Sequence, residues 1–374
     1  MADLPNSVSN PANSAPVIRV SDPARAAIAD QKIIASAFQR VLSSGWFILG
    51  PENEALEQEL ATAASVAYAV VVGSGTAALE IALAAVGVGA GRPVYTAANA
   101  GGYAAAAARS LGAPVVFVDV DPDSLLMTTD TLQEAVTAEG ISPAAVVVTH
   151  LFGASADVAA LVDWCRPRGI MVIEDTAQAF GGMLADRPLG SIGDVAITSF
   201  YPTKNLGAIG DGGAILTSQP EVAAKARQLR QYGWEQKYVV TDPRGRNSRM
   251  DEFQAAVVRE RLALLPTLTA RRRAVHQAYE DATDAMVNRV ASGFVAHLAV
   301  LRSGDRAAVR EHLQGKGIST DVHYPVPDHL QPIERPRRVL VHAERAAAEI
   351  LTVPLFPHMT DEEVDRVATA LRSL

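Results

Sequence analysis

Short apolar runs alternate with longer amphipathic or alanine-rich stretches along most of this chain. Residues 70–72, 93–95, 115–118, 145–149, 171–174, 195–200 and 214–217 read as strands. Runs this short that are apolar on both faces belong inside a sheet covered from both sides. Helical patterns separate most of them, which predicts an α/β fold: a mainly parallel sheet with helices on both faces. The last two runs are joined by a glycine-rich connection too short for a helix. They are expected to pair antiparallel or to lie as neighbours across the sheet edge.

Beyond Met250 the pattern turns helical, with Phe253, Val257 and Leu264 or Leu265 on one face, and Pro266 predicts a kink or break. A smaller α+β unit should follow: a strand over 296–301, a helix over 305–315, a strand near Val322 and a last helix opening at Thr360. Thr360-Asp-Glu-Glu363 has the spacing of a capping box. The expected organisation is a mobile tail over 1–24, a large domain over 25–260 and a small C-terminal domain over 261–374. Residues 1–15 are rich in Asn, Ser, Pro and Ala and lack the basic start and apolar core of a leader. The apolar stretches are interrupted by Gly, Pro and polar residues, so no membrane span is expected. The chain's net charge of −8 argues against a nucleic-acid surface. Its one cysteine, Cys165, excludes an internal disulfide and any cysteine-based metal cluster. No histidine group has metal-ligand spacing, so no metal is expected. A cytoplasmic enzyme fits this composition.

Candidate chemistry gathers in three segments. In Ser199-Phe-Tyr-Pro-Thr-Lys-Asn-Leu206 one lysine, Lys204, lies between an apolar run and the glycine-dense turn over 207–213. A lysine that attacks carbonyls needs a partly desolvated site, so that its amine can be neutral. Without such a site it is a surface lysine at a strand end. In Met171-Val-Ile-Glu-Asp-Thr-Ala-Gln-Ala-Phe-Gly181, Asp175 follows a buried strand at the sheet edge where ligands bind. A carboxylate there can pair with the protonated ring nitrogen of pyridoxal 5'-phosphate (PLP), or cap a helix. In Val70-Val-Val-Gly-Ser-Gly-Thr76 a strand runs into a glycine turn and a helix, which offers backbone N–H groups and a helix dipole to an anion. The third glycine of a dinucleotide fingerprint and the Gly-Lys-Ser/Thr ending of a Walker loop are missing. A phosphate cup for PLP fits all three segments.

Together these segments resemble the DegT/DnrJ/EryC1/StrS family of sugar aminotransferases, PLP enzymes of fold-type I. The resemblance extends to Gly45-Trp-Phe-Ile-Leu-Gly-Pro51, to Gly245-Arg-Asn-Ser-Arg-Met-Asp-Glu-Phe-Gln-Ala-Ala256, to His323-Tyr-Pro-Val-Pro-Asp-His-Leu-Gln-Pro332 and to Val353-Pro-Leu-Phe-Pro357. It implies Lys204 and Asp175 as catalytic residues, with Lys204 joined covalently to PLP. Gly75, Thr76 and Ser199 would hold the phosphate, and Gln178 would lie near the ring hydroxyl. Asn247 would reach the phosphate of a second subunit, which implies a homodimer with shared sites. Arg249, His323 and Tyr324 become substrate-side candidates, although a structural ion pair would equally account for Arg249.

The pattern departs from the family in one place. Relatives carry an aromatic that stacks on PLP where this chain has Gly101, within Asn99-Ala-Gly-Gly-Tyr103. Tyr103 either takes that role or packs on a helix start. His150 is expected to be a satisfied hydrogen-bonding residue near the site, and His297 a structural residue within a strand. The implied reaction moves an amino group from L-glutamate to a nucleotide-linked keto sugar, with a 4-keto-6-deoxyhexose expected from the Asn99–Tyr103 segment. A cyclitol or a 3-keto sugar is the alternative acceptor. A PLP-dependent sugar dehydratase is disfavoured because such relatives carry histidine at the lysine position. A PLP-binding regulator without turnover would have no need of Lys204 with its whole surround.

Overall fold

A computed structural model describes residues 16–335 and 338–374. The seven apolar runs form one sheet: β1 (Tyr68–Val72), β2 (Val94–Ala97), β3 (Val115–Val118), β4 (Ala145–Thr149), β5 (Met171–Asp175), β6 (Val195–Ser199) and β7 (Gly213–Thr217). Their spatial order is β1-β7-β6-β5-β4-β2-β3. The neighbours β3, β2, β4, β5 and β6 are parallel, and β7 alone runs the other way, antiparallel to both β6 and β1. Of the two placements left open for the glycine-joined pair, antiparallel neighbours is the one found.

Strand alternation sorts the side chains into two cores. Val70, Val72, Val147, Ile173 and Ile197 meet Leu79 and Leu83 of the Gly75–Ala85 helix on one face. On the other face Val146, Val148 and Val172 belong to one cluster, while Val71, Ala196 and Leu216 belong to another. A third core lies under the C-terminal segment. It surrounds β8 (Ala299–Arg302), paired antiparallel with β9 (Ile350–Val353), and takes in Leu313, Val364, Val367 and Leu371. Asp305 caps the Arg306–Gly315 helix, and the capping box at Thr360 and Glu363 opens the Asp361–Arg372 helix.

Several expectations are corrected. Pro266 does not break the chain: one helix runs Glu252–Glu280. The expected boundary at 260 falls inside it. Val258 packs against the sheet, while Val275 and Tyr279 belong to the third core. No strand forms at Val322, where an isolated bridge joins Asp321 to Thr352, and β9 is the strand that completes the pair with β8. Residues 1–15 of the expected tail lie outside the described residues. Within residues 16–24, Ile18 is buried against the third core and bridges Ile318, and a helix starts at Pro23. No described helix is long and apolar enough to cross a membrane.

The reversed strand presses on the start of the Gly75–Ala85 helix. A Cβ at Gly213 would lie 2.6 Å from the carbonyl carbon and oxygen of Ser74. Those are backbone atoms and cannot swing aside as a side-chain tip would. Gly213→Ala should therefore lower stability by about 1–3 kcal/mol, as overpacking does. The expected result is a lower denaturant midpoint at unchanged slope. An unchanged midpoint would show that this helix start yields.

Candidate functional site

The carboxyl ends of β5 and β6 open into a cavity of about 620 Å³ shared between the sheet and the third core. Asp175 is the last residue of β5 and is buried. It shares the strand parity of Ile173, which places it on the face of the Gly75–Ala85 helix. Its carboxylate accepts from the Ala177 N–H at 3.0 Å, inside a turn; no helix follows for it to cap. Burial pushes this carboxyl up from the usual range, and the Ala177 N–H and the Lys204 and His150 charges pull it partly back. Burial likewise pushes the Lys204 amine below its ordinary value, with Asp175 opposing. Each group brings the other nearer to its charged form in a place that disfavours charge.

Lys204 is held by a turn that folds back on itself. Phe200 is fully buried, donates to Gly212 O at 2.8 Å and accepts from the Ala208 N–H at 2.7 Å. The next side chain anchors the turn to the segment before β8: Asn205 Nδ2 donates to Val295 O at 2.9 Å. That bond leaves the Asn205 oxygen facing His297, so Nδ1 of the imidazole donates to it at 3.0 Å. His297 lies just ahead of β8, not within a strand, and lines the cavity. Burial keeps it neutral, reinforced by the nearby Lys204 and Arg272 charges.

Ser74 caps the Gly75–Ala85 helix by accepting from the Ala77 N–H, and the Gly75 and Thr76 backbones lie at the cavity wall. A Cβ at Gly75 would stand 2.6 Å from Ser199 Cβ. Glycine therefore lets the helix N-terminus and the Ser199 hydroxyl approach one another, leaving a cradle a larger residue would fill. Gln178 is fixed between two loops: its Oε1 accepts from the Phe152 N–H at 2.7 Å and its Nε2 donates to the Tyr324 hydroxyl at 3.2 Å. His150 is buried, as expected of a satisfied residue; it pairs with Glu174 at 3.2 Å and accepts from the Ala156 N–H.

Nine of the candidates thus line one cavity: Gly75, Thr76, Tyr103, Asp175, Gln178, Ser199, Lys204, His323 and Tyr324. Asn247 and Arg249 do not line it. Arg249 Nε donates to Asn247 Oδ1 at 2.9 Å near the surface, and the Arg249 guanidinium lies 5.7 Å from the Tyr232 ring. His323 Nδ1 meets Thr352 Oγ1 at 2.9 Å. Tyr103 opens its helix and is half exposed, edge-on to Tyr324 at 6.3 Å. Gly101 has φ +80°, and a Cβ there would stand 2.8 Å from Tyr324 Cζ. Tyr324 and Tyr103 both crowd the space beside Gly101. Arg272 also lines the cavity, from the run Arg271-Arg272-Arg273, which has no role assigned from sequence. No group of three or more His, Cys, Asp or Glu among the described residues could hold a metal.

The cradle at Gly75 and Ser199, together with a buried carboxylate opposite a depressed lysine, fits PLP: an anionic phosphate at one end, a cationic ring nitrogen at the other and an aldehyde between. The profile of the DegT/DnrJ/EryC1/StrS aminotransferase family matches residues 29–372. The chain is 39% identical to the erythromycin biosynthesis sensory transduction protein EryC1 of Saccharopolyspora erythraea, over 91% of this chain and 94% of the relative. It is 38% identical to the dTDP-3-amino-3,4,6-trideoxy-alpha-D-glucose transaminase of Streptomyces venezuelae, over 90% of each. The crystal structure of S. venezuelae DesV in complex with a ketimine intermediate superposes with a TM-score of 0.91 at 36% identity, covering 96% of this chain and 98% of that one.

The Lys204–Asp175 coupling has a measurable sign. In cofactor-free protein the Lys204 amine should titrate below 10.5, the ordinary lysine value. Asp175→Asn removes the charge that supports the ammonium and should move the titration lower still. The pH dependence of amine-selective labelling at Lys204 checks both. An unchanged midpoint in the variant would show that the two groups do not interact.

Proposed function

The chain belongs to the DegT/DnrJ/EryC1/StrS aminotransferase family and is a PLP-dependent aminotransferase; from that premise we propose that it moves an amino group from L-glutamate to the C3 ketone of a nucleotide-linked sugar. The convergence of Lys204, Asp175 and the Gly75–Ser199 cradle on one cavity is the observation that carries the reading. We favour C3 over the C4 expected from the Asn99–Tyr103 segment because the S. venezuelae transaminase similar over most of its length is named for a 3-amino sugar.

PLP, when bound, supplies an electron sink for the carbon that loses its proton. Lys204 would hold it covalently. Once freed, the Lys204 amine, kept easy to deprotonate by burial, takes and returns the proton at the carbon that bears the nitrogen. Asp175 keeps a proton on the ring nitrogen. The Gly75 and Thr76 backbones and Ser199 hold the phosphate end. Gln178, itself pinned by Phe152, would lie near the ring hydroxyl, and Tyr103, His323 and Tyr324 would wall the acceptor side. Asn247 and Arg249 lie outside this chain's cavity, which suits a role in the site of a second copy.

The name of the S. erythraea relative favours one other reading, a PLP-binding regulator without turnover. Product analysis separates the two. The protein should convert a nucleotide-linked 3-keto-6-deoxyhexose with L-glutamate to the 3-amino sugar, identified by NMR. Amination of only the 4-keto isomer would refute C3, and cofactor binding with no amination of any keto sugar would favour the regulator.

The shared site predicts complementation. Lys204→Ala and Asn247→Ala chains, each nearly inactive, should recover activity when mixed. Random exchange makes about half the dimers mixed, each with one intact site, so recovery should reach about a quarter of wild type. No recovery despite demonstrated subunit exchange would place Asn247 away from the partner's site.

A further inference from the structure

The cavity holds a cation that the roles above leave unused. Arg272 projects from the middle of the Glu252–Glu280 helix and is only 6% exposed, yet it lines the cavity. A buried guanidinium ordinarily has a carboxylate, because its five donors and full charge are costly to desolvate alone. Here Nη1 makes two long contacts, 3.3 Å to His297 O and 3.4 Å to Leu355 O, and Nε has no partner. Among the described residues no carboxylate pairs with it. Burial pushes it down to about 10. Arg272 and Lys204 both act on the neutral His297 between them in the wall. The neighbouring Arg261 shows the contrast, paired with Asp30 at 2.9 Å. Asp321 also lines the cavity, but its carboxylate is exposed and faces His323 at 3.9 Å.

We propose that Arg272 receives the carboxylate of the amino-acid donor, an inference that rests on the aminotransferase reading. A guanidinium with open donors is matched to a planar carboxylate. The phosphate cradle of Gly75, Thr76 and Ser199 belongs to the cofactor, so the anion at Arg272 is a different one. The donor must present its amino group near Lys204. Arg272 lies on the same stretch of wall: a smaller adjoining pocket is also lined by both Arg272 and Lys204. The sugar acceptor would use the same space in the second half of the cycle and carries its diphosphate away from the reacting carbon. Arg272 thus selects an α-amino acid over a simple amine and leaves acceptor choice to other residues.

The test uses cofactor-loaded wild type, Arg272→Gln and Arg272→Lys, with melting temperature as the check on folding. The donor half-reaction is followed by loss of the visible cofactor absorbance against L-glutamate concentration. The acceptor KM is measured separately. Losing a charge-assisted bond should raise the half-saturating L-glutamate concentration about ten- to a hundredfold in Arg272→Gln, with partial rescue in Arg272→Lys and an acceptor KM within about threefold. A folded Arg272→Gln protein with unchanged L-glutamate dependence would make Arg272 a tether for the helix and overturn the proposal. A rise confined to the acceptor KM would assign the anion to the nucleotide sugar and overturn it too. Should Arg272→Gln not fold, Arg272→Lys decides alone: a rise for donor only supports the proposal, and an equal rise for both substrates overturns it. Wild type that reacts with L-glutamate but aminates no keto sugar would refute the acceptor reading and leave the donor test intact.

Discussion

The site depends on one carboxylate that does no chemistry in it. Glu174 is fully buried and accepts from the N–H groups of Gly190, Ile192 and Gly193 at 2.6–2.8 Å, and it pairs with His150. Burial alone would raise its pKa; these partners hold it below the ordinary value, so it stays charged. An unpaired charge at that depth would be prohibitive, so the 190–193 loop and His150 must be in place before β5 can end where it does. Strand alternation then does the rest. With Glu174 fixed on one face, Asp175 must project from the other, toward the helix that starts at Gly75. Two adjacent acids of one strand thus receive opposite treatment. One is saturated with donors, and the other is left with a single N–H and a lysine.

Close backbone approach is the second constraint. Gly75 against Ser199, Gly213 against Ser74 and Gly153 against His297 N, each at 2.6 Å for the missing Cβ, set how near the loops can come. The first two make the cradle. The third ties the loop after β4 to the segment before β8, where the His297 and Leu298 N–H groups both donate to Phe152 O. Because the Phe152 N–H also fixes Gln178, the sheet edge and the third core share one hydrogen-bonded seam. The cavity is the gap that seam leaves.

Much of this is legible in the sequence, for physical reasons. All seven sheet strands can be read because strands buried on both faces must be apolar throughout, and the glycine turns can be read because each marks a point of close approach. Lys204, Asp175 and the 73–76 turn stand out as polar or glycine residues directly after such strands. The small segment is harder. Its strand Ile350–Val353 follows a helix without a turn residue between them, so nothing local announces the change of period. Pro266 misleads because proline ends helices only where the lost bond is not offset by packing, and this helix spans two cores. His297 reads as an ordinary strand residue because its partner, Asn205, is 92 positions away.

Arg272 carries no local signal of its place. In a run of three arginines on a helix, sequence cannot tell which guanidinium turns inward, since the choice depends on where the helix crosses from one core to the other. Arg271 finds Asp361 at the surface, while Arg272, one position on, faces the cavity. Tyr324 fills the space beside Gly101, so an aromatic and a cation from beyond the sheet enter a cavity whose lysine and carboxylate come from the sheet. The bonds from Asn205 to Val295 and His297 hold the neighbouring Lys204 in register with that wall of the cavity. Lys204 and Asp175 therefore reach the cavity from the sheet, and His297 and Arg272 reach it from the other side of the same seam.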